Sequence, residues 1–214
     1  MAEHCPMIFD IHVHSALSPC SSLEISEILS MAKYRGLDGV CITDHNTMDA
    51  RRHINEGVQQ DGLVVLVGME YDTPQGDILL FGPMEDIRPG LSAVEVLHLA
   101  HERNGFAVAA HPFREDRPFS EDIIRNGLCT IVESINGRNT DKENRMVSRW
   151  VSTYPVTVCG GSDAHSIEEL GSVVTKFAMP VYSLSDLRIA LTKGLCIPEA
   201  VSPRVPETFC GITG

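Results

Sequence analysis

The chain has 214 residues, 43% hydrophobic and 21% charged, and its 17 Lys+Arg against 29 Asp+Glu give a formal net charge of −12. A chain of this length buries roughly 70% of its unfolded surface as one globular domain without help from disulfides or a structural metal, so any metal-ligand pattern in it points to catalysis. The acidic balance argues against a general nucleic-acid-binding surface, and no apolar stretch approaches the roughly 20 residues of a membrane helix.

In chain order, strands are predicted over Met7–Val13 and Gly39–Thr43, with a helix over Glu24–Tyr34 between them and another over Met48–Gln60 after them. Strands Leu63–Met69 and Ile78–Phe81 follow, then a helix over Ser92–Arg103 and strands Phe106–Ala110 and Thr130–Glu133. A helix over Asp141–Val151, strands Val156–Cys159 and Val173–Ala178, and a helix over Ser185–Lys193 complete the pattern. Ser92 and Ser185 stand as N-caps, and Gly36, Gly62, Gly105 and Gly194 stand where helix C-caps belong.

Repeated βα units make a parallel sheet, open or closed into a barrel, and the class is α/β. The gap from Met69 to Ile78 is too short for a crossover helix and predicts a hairpin, so fewer than eight regular units are expected. Residues 1–196 read as one domain. The tail 197–214, with Pro198, Pro203 and Pro206, reads as an extended arm packed on it.

The seven cysteines, Cys5, Cys20, Cys41, Cys129, Cys159, Cys196 and Cys210, are scattered and contain no C-x-x-C pair, the usage of reduced intracellular thiols. With no leader pattern at the N-terminus, a cytoplasmic location is expected.

Asp10-Ile-His12-Val-His14 ends the first strand, and period-2 alternation sets Asp10, His12 and His14 on one face. Thr43-Asp44-His45, Gly68-Met69-Glu70, His111-Pro112 and Gly161-Ser162-Asp163-Ala164-His165 recur at later strand ends. In a barrel or doubly wound sheet those ends converge on one mouth, where active sites are built. His12, His14, His45, Glu70, His111, Asp163 and His165 are too many ligands for one tetrahedral zinc, so at least two divalent ions are implied. Two or three ions carry four to six positive charges against the two negative ones of Glu70 and Asp163. The surplus suits a hydroxide plus a phosphate, with a metal-bound water as nucleophile.

These motifs, in this order over nearly the whole chain, resemble the polymerase and histidinol phosphatase (PHP) family of metal-dependent phosphoesterases. The resemblance implies a distorted (β/α)7 TIM-like barrel holding two or three Zn, Mn or Fe ions. It assigns His12, His14, Glu70 and Asp163 to the first ion, Glu70 and His111 to the second, and His45 with His165 to a third. The chain departs from the fuller family pattern at Ser18-Pro19-Cys20, where Cys20 is either a thiolate ligand or a small loop residue, and at Gly76-Asp77, where Asp77 is either a ligand or a turn residue.

Glu133, closing the sixth strand, is a ligand or an acceptor for one. Asp10 and Asp44 read as acceptors orienting metal-bound histidines. Arg114 and Arg138, on mouth-side loops, are candidates to grip a phosphate, with solvated loop arginines as the alternative. His4, His53, His98 and His101 have no mouth-facing context, and Trp150 reads as core. Ser15 and Ser162 lack a nucleophile-elbow context, and no Gly-rich nucleotide loop is present.

The expected function is hydrolysis of a small phosphate ester, a nucleotide or a short oligonucleotide. The rivals are an amidohydrolase-like C–N hydrolase, whose usual middle-strand lysine is missing from the predicted strands, and a non-catalytic metal-binding or assembly module.

Overall fold

The computed structural model describes residues 5–202. Its first half runs β1 (Met7–Val13), α1 (Ile25–Tyr34), β2 (Gly39–Ile42), a 3-10 turn at Asp49–Arg52, β3 (Gly57–Val58), β4 (Val64–Thr73) and β5 (Gly76–Phe81). Then come α2 (Ala93–Glu102), β6 (Phe106–Ala109), α3 (Glu121–Arg125), β7 (Ile131–Asn136), α4 (Asp141–Met146) and α5 (Ser148–Thr153). The chain continues through β8 (Thr157–Gly161), β9 (Val173–Phe177), α6 (Leu184–Thr192) and β10 (Cys196–Ala200).

All these strands belong to one sheet that nearly closes into a distorted βα barrel. β1, β2 and β4 are parallel neighbours, as are β6, β7 and β8, and the antiparallel hairpin β4–β5 joins the two groups through β6. β9 and β10 add antiparallel strands beyond β1. Closure comes from the ends of β8 and β1, where the Asp163 N–H donates to the His12 carbonyl (2.8 Å) and the His14 N–H to the Ala164 carbonyl (2.9 Å). The close approach requires Gly161, because a Cβ there would lie 2.4 Å from the Cβ of His12.

Alternation along the strands separates two apolar layers. Val65, Val67, Ile78 and Leu80 pack outward with Ile28 and Ala32 of α1 and Val96 and Ala100 of α2. Phe9, Ile11, Leu66, Phe81, Val108 and Phe177 pack in a second layer with Leu187 and Leu191 of α6. Phe9 and Phe177 meet edge to face with ring centroids 5.4 Å apart.

Several expectations are corrected. The helix over Met48–Gln60 is a 3-10 turn followed by β3, since Gly57 has φ +107° and only Met48 and Ala50 of the segment are buried. Gly62 therefore caps no helix. The helix over Asp141–Val151 is two short helices that meet at Val147, the first of them tied to β7 by the Asn144 side chain, which bonds both the N–H and the carbonyl of Asn136. Asn104 (φ 57°), rather than Gly105, takes the left-handed position closing α2, and Ser183 rather than Ser185 caps α6. Ile197–Ala200, expected as the start of an arm, pair with β9 as an edge strand, where Pro198 costs no interior ladder bond. Pro203, Pro206, Cys210 and His4 lie outside the described residues.

Candidate metal centre

The mouth of the barrel gathers ionisable side chains that are fully or almost fully buried. His12, His14, Glu70 and Asp163 form the innermost group, with relative exposures of 0%, 0%, 1% and 2%. His12 Nε2 lies 3.1 Å from His14 Nε2, 3.5 Å from Glu70 Oε2 and 3.6 Å from Asp163 Oδ1. His14 Nε2 lies 3.2 Å from each of the same two carboxylate oxygens. An ion about 2.05 Å from four N or O donors sets those donors about 3.3 Å apart, so the group has the dimensions of a divalent-cation cage.

The outward atoms of these ligand candidates are all spoken for. Glu133 Oε1 accepts from His12 Nδ1 (3.0 Å), leaving Nε2 to face inward. Ser18 gives its hydroxyl proton to Asp44 (2.6 Å), so it accepts at 3.2 Å from His14 Nδ1 and again leaves Nε2 inward. Asp163 turns Oδ2 to Arg114 Nη2 (2.7 Å) and keeps Oδ1 toward the histidines. Such outer partners fix tautomer and aim. His111 (φ 27°) and Asp163 (φ 56°) hold left-handed backbone that a non-glycine residue adopts at a cost of order 1–3 kcal/mol.

Two further groups adjoin the first. Glu70, Asp77 and His111 form one, with His111 Nε2 2.7 Å from Glu70 Oε1 and 3.8 Å from Asp77 Oδ2. The Nδ1 of His111 is buried without a hydrogen-bond partner. His14, His45 and His165 form the other, closer to solvent. Glu70 thus reaches three neighbours, since its Oε2 also lies 3.2 Å from His45 Nδ1.

Electrostatics fit a cation. Burial alone would push Glu70 up, yet His12 and bonds from His111 and His14 hold it well below the usual carboxylate range. Asp163 is held low in the same way, its burial outweighed chiefly by His12. Burial opposes the His12 imidazolium, but Asp163, Glu133 and Glu70 hold its pKa well above the ordinary value. A divalent cation held by His12, His14, Glu70 and Asp163 would supply the positive charge that these carboxylates favour.

The groups open on a cleft of about 620 Å³ lined by Cys20, His45, Asp77 and three arginines, Arg114, Arg117 and Arg138. Arg114 lines it with Nε and Nη2 already bonded to Asn139 (3.0 Å), Asn136 (2.9 Å) and Asp163. Arg117 pairs with Asp77 and lies 3.5 Å from Asp72. Burial raises Asp77, and the Arg117 bond works against that rise.

All seven predicted ligand candidates are brought together, and Asp77 joins them. Glu133 is an acceptor, since its Oε2 also takes the His111 N–H (2.8 Å) and Asn136 Nδ2 (2.9 Å). Asp44 reaches His14 only through Ser18. Asp10 orients no imidazole: β1 slips register between Asp10 and Val13, and the Asp10 carboxylate instead takes the N–H groups of Ser162 (3.0 Å) and Gly171 (2.8 Å). Burial raises its pKa to about 6 against these donors. Ser15 and Ser162 give their hydroxyls to Asp44 and Asp10, and both are fully buried and line no part of the cleft. His53, His98 and His101 are exposed and remote, and Trp150 is buried beside Phe113. Ser18, Arg117 and Asn136 escaped the sequence reading. Asn136, three residues after Glu133 at a strand end, carried the one usable signal.

Among the described residues no helix is long and apolar enough to cross a membrane. A family model described as PHP domain matches residues 10–124, more than half of the chain, and a PHP-associated model matches residues 141–196. PsfC from Pseudomonas syringae shares the fold with TM-score 0.73 at 20% identity, covering 93% of both chains. A Bifidobacterium adolescentis protein named provisionally as a metal-dependent phosphoesterase gives 0.64 at 16% identity, covering 87% of this chain and 96% of that one. Endonuclease Q, solved with a 27-mer duplex bearing an abasic lesion at its active site, gives 0.69 at 19% identity. It covers 91% of this chain, which spans only 58% of that protein. Identities this low establish the fold, while the family match establishes descent: the chain belongs to the PHP domain family and is a metal-dependent hydrolase.

Proposed function

We propose that the protein hydrolyses a small phosphate ester or nucleotide at a centre of two or three divalent ions, Zn, Mn or Fe. The observation that carries this reading is the cage of His12, His14, Glu70 and Asp163, whose donors stand 3.1 to 3.6 Å apart and adjoin a cleft of small-molecule size. In this reading Glu70 also serves a second ion with His111 and Asp77, and His45 and His165 serve a third. When bound, the ions would supply Lewis-acid polarisation of the phosphoryl group and an ionised water as nucleophile.

The chain's own residues do the positioning. Glu133 and the Ser18–Asp44 pair lock the tautomers of His12 and His14. Arg114 holds Asp163 in place from the cleft side, and in this reading Arg138, exposed on the cleft lining, would grip two phosphoryl oxygens bidentately. The acidic balance and the size of the cleft favour a small ester over duplex DNA, although the fold shared with Endonuclease Q makes a short oligonucleotide the second substrate to try. A C–N hydrolase of the carbamylated-lysine type finds no support, since Lys176 of β9 is paired with Glu199 at 2.6 Å.

The test is elemental analysis of the purified protein, with hydrolysis of an aryl phosphate, a nucleotide panel and a short oligonucleotide in Mn, Zn or Fe. Two or three ions per chain and metal-dependent phosphate release, lost in His12→Ala, are expected. Stoichiometric metal without release from any phosphate would shift the reading to C–N hydrolysis or a binding module, and no metal under any loading would overturn it.

A further inference from the structure

We infer, on the hydrolytic reading above, that the cleft selects the phosphate monoester of a polyol or sugar, and that Asp72 with Arg117 is the pair that recognises its hydroxyl groups. Among the described residues the cleft is lined by four carboxylates, three guanidinium groups, two imidazoles and one amide, and only Pro19 and Cys20 complete the lining. No Phe, Tyr or Trp stands among them. A nucleobase would find no aromatic ring to stack on there and would press its faces against hydrated charge. A polyol meets the same lining with groups that both donate and accept.

Most of that lining is already committed. The side chains of Glu70, Asp77 and Asp163 are each 2% exposed and turned to the histidines or to an arginine. Asp72 and Arg117, 40% and 41% exposed and 3.5 Å apart, are the oppositely charged pair still open to the cleft.

Both partners are held ready. Asn46, whose backbone is left-handed at φ 55°, donates through Nδ2 to Asp72 Oδ2 (2.9 Å) and accepts the Asp72 N–H at Oδ1 (3.0 Å). Arg117 is anchored through Nη2 on Asp77. Asp72 Oδ1 is covered, 3.5 Å from both His45 Nδ1 and Arg117 Nη2, which leaves Oδ2 as the acceptor within a ligand's reach. A carboxylate oxygen beside a guanidinium suits a hydroxyl, which gives its proton to the one and accepts from the other. Because His45 also reaches Glu70 (3.2 Å), the pair adjoins the candidate metal centre, and the hydroxyls it would read lie within a few atoms of the ester oxygen.

The test compares kcat/KM for glycerol phosphate and n-propyl phosphate, which share a carbon skeleton and differ only in hydroxyl groups, with adenosine monophosphate alongside, in the metal that supports turnover. Wild type should prefer glycerol phosphate to both by at least about tenfold. In Asp72→Ala the glycerol-to-propyl ratio should fall by about tenfold, chiefly through KM, which separates recognition from the greater acidity of a polyol leaving group. Asn46→Gly, which keeps the left-handed backbone but frees Asp72, should lower the ratio part of the way. Propyl phosphate hydrolysed as well as glycerol phosphate, or the nucleotide preferred to both, would overturn the inference and leave metal-dependent phosphoester hydrolysis standing. A preference that survives Asp72→Ala would overturn the role of Asp72, and release from no phosphate would overturn both readings.

Discussion

Along the same strands the barrel changes character within a few residues. Phe9, Ile11, Leu66, Phe81 and Phe177 are buried carbon, whereas His12, His14, Glu70, His111 and Asp163 are buried ionisable groups, and all ten are at most 2% exposed. The apolar layer gains roughly 1.5–3 kcal/mol per side chain from leaving water. The mouth gains nothing comparable, because desolvating charges costs several kcal/mol per ion and mutual pairing only offsets it. Equal burial therefore serves different ends: the apolar layer holds the barrel closed, and the mouth is tolerated because it is built around a cation.

The comparison breaks most visibly at Asp163. Replacing it with Ala removes an inward oxygen of the cage and frees Arg114, so hydrolysis should fall by at least about 1000-fold, equivalent to ~4 kcal/mol of transition-state stabilisation. Far-ultraviolet circular dichroism should stay that of wild type. An unfolded Asp163→Ala protein would show instead that the mouth is structural. Phe9→Ala should do the reverse. Its ring fills space between Phe177 and Gly39, where a glycine Cβ would already lie 2.4 Å from it, and its loss should cost about 3–5 kcal/mol in urea unfolding. The ions bound per folded chain should not change.

Glu133 sharpens the contrast, since it belongs to the mouth without lining the cage. Its Oε2 accepts two N–H donors and its Oε1 a third. Glu133→Gln keeps the shape but sets an amide NH2 against at least one of those donors whichever way it turns. Metal affinity, read by competition with a chromophoric chelator, should drop about 10–100-fold. An unchanged affinity would remove Glu133 from the aiming of His12.

What could be read from the sequence follows the same division. Strand ends bearing His, Glu or Asp are local signals, so the seven ligand candidates and the hairpin after Glu70 were legible, as was the βα barrel. Features that depend on register or on distant loops were not. The slip in β1 sends Asp10 away from the histidines it was expected to orient. Glu133 became an acceptor because of where His12 and His111 reach it, and Arg117 meets Asp77 only through the conformation of the loop after His111. The segment after Met48 misled because its length suited a helix while its apolar residues did not bury a stripe.

The smallest expected effect lies farthest from the mouth, at the start of α2. Ser92 Oγ accepts the Glu95 N–H at 3.4 Å, and Glu95 returns Oε2 to the Ser92 N–H at 2.8 Å, a reciprocal cap on a helix that buries Val96, Leu97 and Ala100 against the sheet. Ser92→Ala breaks one half of that exchange and should cost about 1 kcal/mol, or about 2–4 °C in Tm. If apolar closure and the cation cage are as separable as their chemistry suggests, this variant should bind the same number of ions and hydrolyse phosphate at the wild-type rate below its lowered Tm. A fall in metal content instead would mean that the mouth senses the strength of the outer layer, through β5 and β6 on which α2 rests, and that burial at the two depths is one cooperative property.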